Sequence, residues 1–100
     1  MLGQKIRELR EARGLVQREI AAILEVDTAY VSKMESNEKP VSRHHLKKLS
    51  QLLEVREEEL HTLWVADRVY NVVKGEKVAV NAIHLAESHL LKSKIPAKKG

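Results

Sequence analysis

Residues 15–39, LVQREIAAILEVDTAYVSKMESNEK, decide the fold of this chain. In the first half Val16, Ile20 and Leu24 recur at helical spacing with Ala21 beside them, which makes one apolar stripe on a short helix. Asp27 then stands before a second helical run in which Val31 and Met34 face inward, and its carboxylate is placed to cap that run, which starts at about Thr28. Only Glu25 and Val26 separate Leu24 from Asp27, so the two helices must meet at a steep angle. Ala21 suits such a crossing, where a larger side chain would push the helices apart. Thr28, Ala29, Ser32 and Lys33 lie off the inward stripe and are expected to be exposed.

Gln17 followed by Glu19, Ile20 and Ala21, then Val26, then Val31, Ser32, Met34 and Glu35, resembles the lambda-repressor/Cro (XRE-type) helix-turn-helix family of bacterial and phage transcriptional regulators. The likeness covers Leu2 to about Leu60. It implies that Gln17 opens helix 2 and bonds a DNA phosphate, and that the following helix enters the major groove of double-stranded DNA. By position, Thr28, Ala29 and Lys33 would face base edges, with Tyr30 and Ser32 flanking them and Arg18 and Asn37 completing the DNA-facing set. The family also pairs an Arg of helix 1 with a Glu ending the recognition helix, which implies a structural ion pair between Arg10 and Glu35. Two positions depart from the pattern: the usual Gly of the turn is Glu25, and the usual Gly after the recognition helix is Asn37. Asn tolerates a left-handed backbone, whereas Glu there costs about 1 kcal/mol.

A chain of 100 residues builds one modest core and leaves no room for a separate enzyme domain. Aromatic residues are 3% and Phe is absent, so the core must be aliphatic. With 2 Pro and 4 Gly there are few breaks, which favours an all-α fold. No apolar run approaches the roughly 20 residues of a membrane span, and no signal peptide opens the chain. The lack of Cys excludes disulfides and Cys-ligated zinc, and suits a cytoplasmic protein.

The net charge of +4 points to an anionic partner, but its distribution matters more. Residues 1–62 hold eleven Lys or Arg against eleven Asp or Glu, so the whole excess lies in residues 63–100. Local asymmetry carries the DNA reading: between Thr28 and Leu53 stand Lys33, Lys39, Arg43, Lys47 and Lys48 against Glu35 and Glu38, while Glu54, Glu57, Glu58 and Glu59 cluster just after. The competing reading is that these charges only solvate helix surfaces.

Helix 1 spans roughly Leu2 to Arg13, with Leu2, Ile6 and Leu9 inward, Gly14 as its stop, and Arg10 at the edge of the stripe, where a partly buried guanidinium needs a partner. After the recognition helix, Asn37 and Pro40 mark a loop, and Ser42 reads as the N-cap of a helix through Leu53 with Leu46, Leu49 and Leu53 at core spacing. Lys39 and Arg43, on either side of that cap, are placed for phosphate contacts, which position without naming bases. His44 with His45, and His84 with His89, do not share a helix face well enough to chelate, so no metal is expected. No HExxH, GxSxG, phosphate loop or Cys nucleophile is present; no catalytic residue and no cofactor are assigned.

From Glu57 a longer helix carries Leu60, Leu63, Trp64, Val65, Ala66, Val69, Tyr70, Val72 and Val73 over more than half its circumference. Gly75 ends it, and a last helix from about Glu76 to Lys92 presents Ala79, Ala82, Ile83, Ala86 and Leu90 at helical spacing. The two are expected to pack as an antiparallel hairpin, leaving apolar surface for a homodimer through Trp64, Val69, Tyr70, Val73, Ile83 and Leu90; the alternative is that the hairpin only completes the monomer core. The expected architecture is thus a five-helix lambda-repressor-like helix-turn-helix domain over 1–62, a C-terminal helical extension over 63–95 and a basic tail over 96–100. The expected function is sequence-specific, two-fold symmetric operator binding by a homodimer with no membrane attachment. The same fold also suits a restriction-modification controller, an antitoxin, or a protein-interaction module without specific DNA binding.

Overall fold

A computed structural model describes residues 1–93, all helices and turns; the expected tail over 96–100 lies outside the described residues. The elements are α1 (Leu2–Ala12), α2 (Gln17–Leu24), α3 (Thr28–Glu35), a 3-10 turn (Arg43–His45), α4 (Leu46–Leu53), α5 (Glu57–Val73) and α6 (Ala79–Ser93). The chain divides into two compact units, Met1–Val69 and the part from Tyr70 onward. No helix of the described residues is long and apolar enough to cross a membrane.

In the first unit, Leu2, Ile6, Ile20, Ala21, Leu24, Val31, Met34, Leu46, Leu49, Leu53 and Leu60, all read at helical spacing, are buried in one core, joined by Val41 from the loop, while Leu9, also read as inward, is only partly buried against it. Val16 does not belong to it. It is the extended residue before α2 and is 48% exposed, because the helix begins only at Gln17. Its backbone N–H instead donates to the Glu19 carboxylate at 3.0 Å, satisfying a donor at the helix entrance.

α1 and the end of α3 approach closely at Gly3. A methyl group added to Gly3 would run into the Met34 carbonyl, so only glycine allows the two backbones to lie this near. The start of α1 is closed from α5: the Asp67 carboxylate accepts the Leu2 backbone N–H at 2.9 Å and faces the Met1 ammonium at 3.2 Å. An acidic group at a helix N-terminus meets both its free N–H groups and its positive dipole end.

The unit repeats one turn twice. Leu24-Glu25-Val26 ends α2 and Leu53-Glu54-Val55 ends α4, with Glu25 and Glu54 both left-handed at φ 57° and 54°. In each case the valine N–H reaches back five residues, Val26 to Ala21 and Val55 to Ser50, both at 3.0 Å, and the valine side chain packs on the core. This is the 6→1 closure of a helix end, with its usual apolar contact, built on Glu where glycine is commonest.

Two local expectations change. Ser42 makes no side-chain cap bond; it precedes the short 3-10 turn, and α4 proper starts at Leu46. Three consecutive residues Arg43, His44 and His45 are wound more tightly than an α-helix before Leu46 turns its side chain into the core. In the second unit, α6 begins at Ala79 rather than near Glu76, after a turn in which the Ala79 N–H bonds the Glu76 carbonyl at 3.2 Å, and no residue of α6 is buried.

Candidate nucleic-acid interface

The inner side of α3 is fixed by burial and by one polar network. Val31 and Met34 are fully buried, and Glu35 at the last position is 5% exposed. A carboxylate this deep must be neutralised, and Arg10 does so as a two-pronged pair, Nε to Oε2 at 2.7 Å and Nη2 to Oε1 at 3.0 Å. The guanidinium also donates through Nη1 to the Leu15 carbonyl at 2.9 Å, and the Gln17 amide donates to Glu35 Oε1 at 3.0 Å. The Glu35 hydrogen bond, with the attraction of its charge, holds the Arg10 pKa above its ordinary value despite desolvation. Helices α1, α2 and α3 are thereby tied at one point.

With that side locked, the other side of α3 is set in orientation. Asp27 caps the helix by accepting the Tyr30 N–H at 2.7 Å. Thr28, Ala29, Ser32 and Lys33 are exposed, and Lys33 has no carboxylate within ion-pair distance among the described residues. Small side chains at 28, 29 and 32 give the helix a low outer surface from which Lys33 is the one long cationic side chain. Asn37 follows with φ 64°, the left-handed state that asparagine tolerates, and turns the chain into the loop carrying Lys39.

Arg18, Asn37, Lys39, Arg43, Lys47 and Lys48 are all exposed, and Lys48 lies 3.9 Å from the Glu25 carboxylate. Of the two acids counted against them in the sequence, Glu35 is withdrawn into the pair with Arg10, which leaves only the exposed Glu38, whose carboxylate accepts a hydrogen bond from Ser36 Oγ at 2.8 Å and keeps its charge. The surface is therefore more positive than the linear count.

Two residues have different surroundings from those the sequence suggested. Tyr30 is half-buried against the core, and its hydroxyl donates to the Pro40 carbonyl at 3.2 Å, so it braces the loop after α3 rather than standing free beside Ser32. Trp64 packs on the core of the first unit, and its indole N–H donates to the Val41 carbonyl at 2.7 Å, which commits it within the chain instead of leaving it on an open face. Neighbouring carbonyls, Pro40 and Val41, are thus held by two rings from two helices. The sequence signal for this was the indole itself, whose N–H seeks an acceptor when the ring is partly buried.

His45 lies beside this loop, half-buried, with Nδ1 buried and unpartnered and its ring 4.1 Å from that of His44. Burial, then its charge coupling to His44 and Lys48, pushes its pKa down. Among the described residues no three His, Cys, Asp or Glu side chains come together in a way that would hold a metal ion.

A family model described as Helix-turn-helix matches residues 6–60, more than half of the chain. No curated protein and no solved structure matched the chain.

Proposed function

This chain belongs to the helix-turn-helix family of the lambda-repressor/Cro (XRE) type, a DNA-binding regulator, and on that premise we propose that it acts as a homodimer on a two-fold symmetric operator. The observation that carries the reading is the two-sidedness of α3: Val31, Met34 and Glu35 are locked inside, while Thr28, Ala29, Ser32 and Lys33 are exposed. In the major groove, Thr28, Ala29 and Lys33 read base edges, with Ser32 beside them. Gln17, which spends one amide hydrogen on Glu35 and keeps the other, contacts phosphate with Arg18, Asn37, Lys39 and Arg43. The few long readers leave a share of specificity to DNA shape.

The dimer reading rests on the second unit, where Tyr70, Val78, Val80, Leu85, Leu90 and Leu91 are each more than half exposed. Exposed aliphatic side chains of this number on one short helix and its approach are covered by a second copy, which sets two α3 helices about one turn of DNA, ~34 Å, apart. Occupation of the operator then excludes or recruits polymerase.

Selection of preferred duplexes from a random pool tests this directly. The expected product is a palindrome with half-sites one helical turn apart. Lys33→Ala should then relax specificity at one or two positions by about 1–3 kcal/mol, and Arg43→Ala should weaken all sequences alike and flatten the salt dependence. A pool that yields no preferred sequence at physiological salt would overturn the operator reading and favour a protein-interaction module.

A further inference from the structure

Arg43, already read as a phosphate contact, and Arg68, which the sequence assigned no role, meet on Trp64, the single tryptophan of the chain. Its ring is held by the bond to the Val41 carbonyl. The Arg43 guanidinium lies 5.6 Å from the ring centroid and that of Arg68, from α5, lies 4.9 Å from it. Neither arginine has a carboxylate within 4.0 Å among the described residues, and both side chains are exposed.

Indole is the best aromatic acceptor of a cation, and a guanidinium lying over a ring keeps its in-plane N–H groups free. Those N–H groups form a fork that matches two oxygens of a phosphate. Two such forks on one ring, with no counter-charge beside them, repel each other and are relieved by an anion. Arg43 opens the 3-10 turn at the end of the braced loop that carries Lys39 and follows α3, so the anion that reaches this place when α3 is in a groove is the neighbouring DNA backbone.

We propose that Arg43 and Arg68, both held over Trp64, form a phosphate clamp beside the recognition helix, with Arg68 a DNA contact and Trp64 the positioning residue. This rests on the DNA-binding reading above. The clamp extends the footprint from the helix-turn-helix to α5, and it explains why Trp64 is spent inside the chain: it fixes the loop and aims two cations.

The test uses the full chain with a labelled random-sequence duplex and a labelled selected duplex, titrated at several salt concentrations. Each phosphate contact adds about 0.9 to the slope of log affinity against log salt. Arg68→Ala should lower that slope by about one on both duplexes, with an unchanged melting temperature because the residue is exposed. Trp64→Phe, which keeps a weaker ring and loses the bond to Val41, should also lower the slope although no charge is removed. A merely structural tryptophan would not do so. Emission of Trp64 in the wild type should shift when the duplex is added. A wild type that binds with a slope unchanged by Arg68→Ala would overturn the clamp alone; a wild type that binds neither duplex would overturn the DNA-binding reading and the clamp with it.

Discussion

In residues 1–69 most of the large apolar side chains are covered: Ile6, Ile20, Met34, Leu46, Leu49, Leu53 and Leu60 are fully buried, while Val16, Val65 and Val69 stay 43–48% exposed. In residues 70–93 the same kinds of side chain remain open, with Val72, Val80, Leu85, Leu90 and Leu91 between 64% and 77% exposed. What differs is the supply of a second layer. In the first unit short helices meet at turns too tight for parallel packing and aim their stripes at one centre. A single helix cannot bury its own apolar stripe, so α6 by itself keeps an apolar surface. Periodicity therefore reports that a helix forms and which side is apolar; it does not report whether the cover lies in the same chain.

The largest effect expected is at the polar point of the first unit. Glu35→Ala leaves the Arg10 guanidinium, whose side chain is 12% exposed, without its paired carboxylate, and frees the Gln17 amide as well. Breaking a buried pair from one side costs about 3–5 kcal/mol, a large part of the stability of a small domain. Urea denaturation should show a large drop in midpoint with loss of α1 to α4 together. An unchanged midpoint would mean that the three helices are not tied at this point, and the contrast between a closed unit and an open helix would weaken.

Much of this contrast was legible in the residues, and what was not has physical reasons. The inward positions of α2, α3 and α4 follow from spacing because each buried stripe obeys the helical period. The left-handed turns at Glu25 and Asn37 follow from where glycine is usual. The left-handed Glu54 is not legible in the residues, although Leu-Glu-Val occurs twice, because a local repeat of three residues carries no period. Gly3 was unremarked, since its role depends on the approach of Met34 from 31 residues away. Asp67 closing α1, Tyr30 bracing Pro40 and Trp64 bracing Val41 are all long-range side-chain to backbone bonds, which no pattern along the chain encodes. The exposed set on α3 was readable because it is the complement of the buried one; the proximity of Arg68 and Arg43 was not.

A pair of equal truncations compares the two regions. Leu49→Ala removes a fully buried side chain and should cost about 2–5 kcal/mol at every protein concentration. Leu90→Ala trims a side chain that is 72% exposed and should stay within about 0.5 kcal/mol in dilute protein. On the proposed dimer, Leu90→Ala should weaken the association measured by sedimentation at high concentration while Leu49→Ala shifts the melting curve. A monomeric wild type at tens of micromolar protein would remove the homodimer. Equal costs in dilute protein would show that α6 belongs to the core after all.

The smallest effect separates two sites that share one backbone. Glu25 and Glu54 both hold a left-handed φ that costs a β-carbon about 1 kcal/mol or more, so glycine relieves strain at each, offset in part by its greater freedom in the unfolded chain. Their side chains are not equivalent. The Glu25 carboxylate is 3.9 Å from Lys48 and largely exposed, a separation and setting that contribute almost nothing, whereas the Glu54 carboxylate pairs closely with Arg13, whose side chain is 38% exposed. Glu25→Gly should therefore stabilise the protein by about 0.5–1 kcal/mol. Glu54→Gly should gain less, since the loss of the Arg13 pair, at most about 1 kcal/mol, works against the same relief. Chemical denaturation of the two variants side by side decides it. If Glu54→Gly gains as much as Glu25→Gly, the pair with Arg13 contributes nothing and backbone strain alone sets both turns; if both lose stability, the left-handed state is not strained in this chain and the valine closure already offsets it.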